Sequence, residues 1–205
     1  MLFRSWAATY QELPSNDHMN IRPMRPKEAI TKVPVIEPGH RRSLGNITAS
    51  LTMLDDFPAF APVIEFIDVR GDTEQLLAEL TEVFARVYLA NAHDVLTTIV
   101  FIHGVTSHAA LGNIILHVSE TTARSMLRYA WQAGCALYAC FSTRALGQEL
   151  EPCKEDIGTL IDRAIANGDE HVIKFTEACL RRDEVAPAPA YCAAIDHALG
   201  MMRRS

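Results

Sequence analysis

The stretch from Asp72 to Tyr88 constrains the fold of this chain more than any other feature. Its apolar side chains recur at intervals of three and four residues, and charged side chains occupy the opposite face. Asp72 or Thr73 can cap the first turn, so the pattern predicts a helix that begins there. The predicted buried stripe consists of Leu76, Leu77, Leu80, Val83, Phe84, Val87 and Tyr88. Such a stripe has to pack against other elements of the fold.

Similar helical patterns fill most of the remaining sequence. They cover residues 43–54, the segment from Thr121 or Thr122 to Phe141, Asp156 to Asn167, and Tyr191 to Met202. No alternating strand pattern and no internal repeat accompanies them. About six or seven helices joined by short loops are expected. The predicted fold is all-α, an irregular multi-helix domain over residues 46–205.

The run Val95 to His103 permits two interpretations. It is rich in β-branched residues, which favours a strand, but helical patterns on both sides favour a buried helix. Thr106 or Ser107 can then cap a separate helix that reaches Val118.

The N-terminal part divides into two segments. Leu2, Phe3, Trp6, Ala7 and Tyr10 follow helical spacing without a capping residue before them, so residues 1–13 are predicted to be a helix that continues from a missing N-terminal half. Residues 14–45 contain five prolines and are predicted to be a Pro-rich connector that holds no core.

Composition excludes several classes of protein. The chain has 205 residues, 49% of them hydrophobic, and a net charge of −6. Its arginine pairs are isolated, so nucleic acid is not an expected partner. No continuous apolar run reaches the roughly 18 residues of a membrane span and no signal peptide is recognisable, so we expect a cytoplasmic protein with no membrane partner. The five cysteines form no Cys-x-x-Cys motif and are predicted to be reduced.

Standard catalytic and nucleotide-binding motifs are missing from the sequence. There is no Gly-x-Gly-x-x-Gly after a strand, no phosphate-binding loop and no Gly-x-Ser-x-Gly elbow. Histidine is the remaining polar feature, and imidazole is a ligand for iron, copper and zinc.

His171 and Lys174 are the most informative of these polar residues. A helix capped by Asp169 places them on neighbouring rows of one face, with His171 inside the apolar stripe and Lys174 at its border. They form either part of a metal site or a buried histidine beside a Lys174 that pairs with Glu170.

His103 is the second candidate ligand, because it ends the apolar run 99–102. A buried histidine bonded to a backbone carbonyl is the alternative. His108 lies five residues away and would leave the common face of a helix. His93 and His117 have polar neighbours and are expected to face solvent or loops.

Several motifs together resemble one protein family. They are Phe-Ile-His-Gly-Val-Thr-Ser-His-Ala-Ala-Leu at 101–111, Leu-Arg-Tyr-Ala-Trp-Gln-Ala at 127–133 with Ala-Leu-Tyr-Ala at 136–139, Asp-Glu-His-Val-Ile-Lys at 169–174, and the opening Trp6-Ala7-Ala8-x-Tyr10. In order and spacing they resemble the C-terminal half of questin oxidase-like proteins. The resemblance spans most of the chain, and its specific parts are the His-x-x-Thr and His-x-x-Lys blocks.

The resemblance implies an all-helical oxidoreductase. Its substrates would be polycyclic aromatic ketones, oxidised with oxygen by Baeyer–Villiger-type insertion or ring cleavage, and NADPH is linked to some members. An iron-bound form would use His103 and His171 as ligands, with Lys174 carboxylated on its side-chain nitrogen as a third. No flavin is expected. The family's N-terminal half, with further histidines, has no counterpart before Trp6, so the site of this chain is expected to be incomplete.

Phe101, Trp131 and Tyr138 are predicted to line an apolar substrate pocket, with an ordinary core position as the alternative. Two other functions remain open at this point. One is a non-catalytic helical module that binds an apolar ligand or a partner. The expected partner is the missing N-terminal half or a second copy, in a homodimer that buries Leu2, Phe3 and Trp6. The other is a zinc hydrolase, since histidines alone do not select iron over zinc.

Overall fold

The computed structural model describes residues 11–16, 21–42, 45–145 and 155–202. These residues form α-helices and short 3-10 segments, and their one β pairing is the isolated bridge between Met24 and Ile67. The helices are α1 (Pro26–Ala29), α2 (Ile47–Leu51), α3 (Thr73–Asn91), α4 (Val95–Leu111), α5 (Glu120–Phe141), α6 (Ile157–Asn167), α7 (Glu170–Val185) and α8 (Pro189–Met201). The predicted all-α fold is confirmed.

Helix α3 lies at the centre of the fold, in contact with α1, α4, α5, α7 and α8. The Asp72 carboxylate accepts a hydrogen bond of 2.7 Å from the backbone N–H of Gln75, which is the predicted N-cap. Every member of the predicted apolar stripe is buried. Side chains of this kind contribute about 1.5 to 3 kcal/mol each when fully buried, so the stripe holds α3 in the centre.

The region around His103 is one continuous helix, α4, rather than a strand or two helices. Asp94 and Thr97 form a reciprocal capping box at its start. The prediction that Thr106 or Ser107 begins a new helix is wrong. Their hydroxyls donate to the carbonyls of Ile102 (3.0 Å) and Gly104 (3.3 Å), one turn back, so they lie inside the helix and cap nothing.

Helix α4 is unusually apolar. Among the described residues, Val95–His117 is the one stretch long and apolar enough to cross a membrane by length and composition, with a mean hydropathy of 1.6. Isolated polar residues such as His103 interrupt the apolar run in this stretch, but they lower its mean hydropathy only a little. This finding is weak support for a membrane span, since core helices meet the same criterion and α4 packs against α3, α5 and α7.

The Pro-rich segment contributes to the core, contrary to the prediction. Ala29, Ile30, Val33 and Ile36 are buried, and the backbone N–H of Ile36 donates to Ala139 at the end of α5 (2.9 Å). Prolines prevent long helices, but they leave the side chains between them free to pack. Pro26 itself occupies the first turn of α1, where its missing N–H costs nothing.

The predicted N-terminal helix lies largely outside the described residues, and residues 11–16 have no regular secondary structure. Cys135, Cys140 and Cys179 are free, buried thiols, as predicted. Cys192 is disulfide-bonded, so the prediction of five reduced cysteines is wrong.

Candidate metal centre

His103 lies on the exposed surface of α4. Its Nδ1 is 2.6 Å from the carbonyl oxygen of Ile99, one turn earlier in the same helix. A ring nitrogen at this distance from a carbonyl carries the proton and donates it. The second nitrogen, Nε2, is then the unprotonated one and can accept a metal ion.

His171 lies in the first turn of α7, at a position set by local sequence. Gly168 ends α6 in a left-handed conformation, with φ of 68°, and Asp169 caps α7. The Asp169 carboxylate accepts from the His171 backbone N–H (2.8 Å) and lies 3.2 Å from Nδ1 of the His171 ring. Burial acts to raise the pKa of the Asp169 carboxyl, but the hydrogen bonds from His171 outweigh it, and the pKa lies below its ordinary value.

The fold brings the two imidazoles together. The ring centroids of His103 and His171 are 5.9 Å apart, with an angle of 61° between the ring planes. A metal ion bound by Nε2 at about 2.1 Å lies roughly 3.3 Å from the ring centre, so two rings on one ion have centroids about 5 to 6 Å apart. The observed separation of 5.9 Å permits a shared ion.

The surroundings of both rings also suit metal binding. In each, Nδ1 is held by an oxygen atom, a carbonyl for His103 and a carboxylate for His171. Metal-bound histidines usually have such a partner on the second nitrogen, which sets the tautomer and the ring orientation. Within the described residues, neither Nε2 makes a hydrogen bond.

His171 is less buried than the helical pattern predicted, with 32% of its side chain exposed. It occupies the first turn of α7, where the apolar stripe has only begun. Val172 and Phe175, further along that stripe, are fully buried.

Lys174 does not point into the core. Its side chain is 67% exposed, and its ammonium donates to the Glu170 carboxylate one turn earlier (2.7 Å). This hydrogen bond lowers the pKa of Glu170. A carbamate requires a neutral amine, and an exposed lysine beside a carboxylate has no desolvation to favour that form. The structure therefore shows the alternative in which Lys174 pairs with Glu170, and Lys174 does not fit as a ligand in this conformation.

The described residues thus provide two ligands and not a complete set. No group of three or more His, Cys, Asp or Glu side chains within them is placed to hold a metal ion. An ion held by His103 and His171 would need further ligands from water, substrate or another polypeptide segment.

The three predicted pocket residues lie in the hydrophobic core. Phe101 and Trp131 are 2% and 0% exposed, and the Trp131 indole N–H donates to the carbonyl of Val63 (2.8 Å). Tyr138 is also buried, near the C-terminal end of α5. Their role as a pocket wall remains a prediction.

His108 is the residue whose environment differs most from the sequence-based expectation. It is fully buried, its ring stacks on Phe84 with centroids 4.7 Å apart, and its Nδ1 lies 2.5 Å from the Gly104 carbonyl. Burial lowers its pKa to about 4, although the carbonyls of Gly104 and Ala130 act in the opposite direction. Its Nε2 is buried without a hydrogen-bond partner in the described structure. The available signal was its position beside Val105 and Ala109 on the apolar face of α4.

Comparison with protein family models, with curated proteins and with solved structures finds no match to this chain.

Proposed function

We propose that this chain is an oxidoreductase of questin oxidase-like type, in which His103 and His171 hold a non-haem iron ion. The proposed reaction is oxygen-dependent oxidation of a polycyclic aromatic ketone, with NADPH as a possible reductant by the same resemblance. The observation that supports it is the pair of imidazoles, 5.9 Å apart, that two helices distant in sequence bring together. When bound, the iron would supply oxygen binding and redox chemistry.

The residues of the chain orient the two ligands. The Ile99 carbonyl and the Asp169 carboxylate hold the Nδ1 protons, so both Nε2 lone pairs remain available. Because the two histidines alone do not complete a site, catalysis by this chain requires ligands from elsewhere.

Metal content tests the proposal. Protein purified without chelators should contain iron at a substoichiometric, reproducible level, and His103→Ala and His171→Ala should each reduce metal affinity at least about tenfold. Replacing a group that only holds a metal ligand in place already lowers metal affinity about 10- to 100-fold, and removal of the ligand itself should cost no less. Elemental analysis and isothermal titration with Fe²⁺ measure the effect.

His93→Ala is a matched control, because the Nδ1 of His93 also bonds to a nearby carbonyl, that of Asn91 (2.7 Å). It should leave metal content unchanged. Equal metal content in the wild type, His103→Ala and His171→Ala would refute the site. Zinc in place of iron would favour the hydrolase alternative.

The role of Lys174 is tested separately. Lys174→Met should retain the metal content of the wild type, because Nζ is paired with Glu170. Lys174→Glu should bind metal more tightly, since it supplies a carboxylate one turn from His171. If Lys174→Met instead loses as much metal as His171→Ala, and bicarbonate raises loading of the wild type alone, Lys174 is a carbamate ligand.

A second candidate function is a non-catalytic helical module that binds an apolar ligand or a partner. The supporting observation is an apolar groove of about 460 Å³ between α6 and α7. This function would be favoured over the first if the purified wild type contains no metal and if His103→Ala and His171→Ala have the same metal content as the wild type.

A further inference from the structure

The groove between α6 and α7 exposes an unusual amount of aliphatic surface. Ile157, Ile161 and Ile165 follow one another at intervals of one turn on α6 and are 53%, 39% and 67% exposed, and Ile173 on α7 is 43% exposed. Four of the ten large hydrophobic residues exposed in the described structure lie on this face. Exposed apolar patches of this kind commonly mark interaction sites.

The position of α6 explains why the groove is open. Its Leu160 and Ala164 are buried, while its main helix contacts are limited to α7 and α8 at the edge of the fold. On the α7 side, Ile173, Thr176 and Leu180 form a second ridge at helical spacing. Two ridges with a gap between them fit the apolar face of a third helix.

The N-terminal segment carries an apolar face of this kind. Leu2, Phe3, Trp6 and Tyr10 lie on one face of the helix that the sequence predicts, and Arg4 is the only charged side chain among residues 1–11. Residues 1–10 lie outside the described structure, which begins at Gln11.

The charges of the groove complement this segment. Three charged side chains line the groove, and Arg181 among them is paired with Glu177 (3.2 Å). Glu184 has no ion-pair partner in the described structure, so the unpaired charge is negative. A segment with an arginine near its apolar face suits such a site.

The reach of the segment decides which copy of the chain provides it. Pro14 is held against α5 by a hydrogen bond from Gln132 (3.0 Å), whereas the groove lies between α6 and α7, and α4 packs between α5 and α7. Neighbouring helix axes are about 8 to 10 Å apart, so the separation is roughly 20 to 30 Å. The residues that connect Tyr10 to Pro14 can span at most about 13 to 14 Å. A helix of residues 1–10 that lies along the groove therefore cannot be connected to Pro14 of its own copy.

We propose that residues 1–10 of one copy dock as a helix in the α6–α7 groove of a second copy. Reciprocal docking gives a closed two-fold dimer, with Trp6 and Phe3 packed among the exposed isoleucines. This proposal develops the second candidate function and does not depend on metal binding.

The test uses the full chain. Sedimentation velocity over a concentration series should show a dimer for the wild type, and Ile165→Glu and Trp6→Glu should each raise the dimer dissociation constant at least about tenfold. Leu116→Glu is the matched control, because Leu116 and Ile165 are both 67% exposed. It should dimerise like the wild type, and circular dichroism confirms that each variant is folded.

Photo-crosslinking identifies the contact itself. Phe3 is replaced by p-benzoylphenylalanine, and ¹⁵N-labelled and unlabelled copies are mixed before irradiation. Crosslinked peptides should join position 3 of one copy to α6 or α7 of the other. A monomer at all concentrations, a dimer unaffected by Ile165→Glu, or crosslinks confined to one copy would each overturn the proposal. Metal content, measured on the same samples, reports independently on the histidine site.

Discussion

Replacing Gly134 by Ala is expected to destabilise the protein by about 3 kcal/mol, near the upper end of the usual range for overpacking. A Cβ atom at this position would lie 2.3 Å from Cζ of Phe84 and 2.6 to 2.7 Å from two more ring atoms. The ring cannot move away easily, because Phe84 is buried between the stacked His108 ring and Trp131. Helices α3 and α5 would have to separate, and the packing around Phe84 would loosen.

Gly104→Ala provides a matched control near the base of the same ring. Its Cβ would lie 3.7 Å from the nearest atom of Phe84, which is ordinary van der Waals contact. Ala is favoured over Gly inside a helix by up to about 1 kcal/mol, so this change should be neutral or stabilising. Urea unfolding of both variants measures the difference.

Phe84→Leu tests the cause of the Gly134 effect. In that background Gly134→Ala should cost clearly less than in the wild type, because the smaller side chain leaves room for the methyl group. Equal costs in both backgrounds, or equal stabilities of Gly104→Ala and Gly134→Ala, would contradict the close packing of Phe84 against Gly134.

Acidification should destabilise the protein through His108, by about 2.5 kcal/mol at pH 4.5 relative to pH 8. Burial lowers the pKa of His108 in the folded state from 6.5 to about 4. Below pH 6.5 the unfolded chain therefore binds a proton that the folded protein does not bind. The contribution of His108 to the free energy of unfolding is fully present above pH 6.5. It falls by up to about 1.4 kcal/mol per pH unit between pH 6.5 and pH 4, and it changes little below pH 4.

His108→Gln isolates this contribution. The variant should be less stable than the wild type at pH 8, since the glutamine loses the ring stacking on Phe84, but its stability should fall less between pH 6.5 and 4. His197, whose pKa is also lowered by burial, and the carboxyls with lowered pKa values, such as Asp94, titrate in both proteins. Parallel stability curves for the two proteins over this range would show that His108 does not titrate as described.

The candidate site was predictable in part. His103 and His171 were both selected from the sequence, one as the end of an apolar run and one as a member of a capped helix. Their position beside each other, 68 residues apart in the chain, follows from the packing of α4 against α7. Helical spacing placed Lys174 near the core, yet the side chain extends to Glu170 because its long stem reaches solvent from the border of the stripe.

What the sequence determined by itself was the all-α class and most of the long helices, although α4 stayed open between a strand and a helix. Asp72 and Asp169 cap the helices that they were predicted to cap, because a cap and the N–H that it accepts from lie within three residues of each other. The tertiary structure decided which faces became buried. The burial of His108 against Phe84 and of Ile36 against α5 depends on elements that are distant in sequence, and no local spacing specifies which of them will meet.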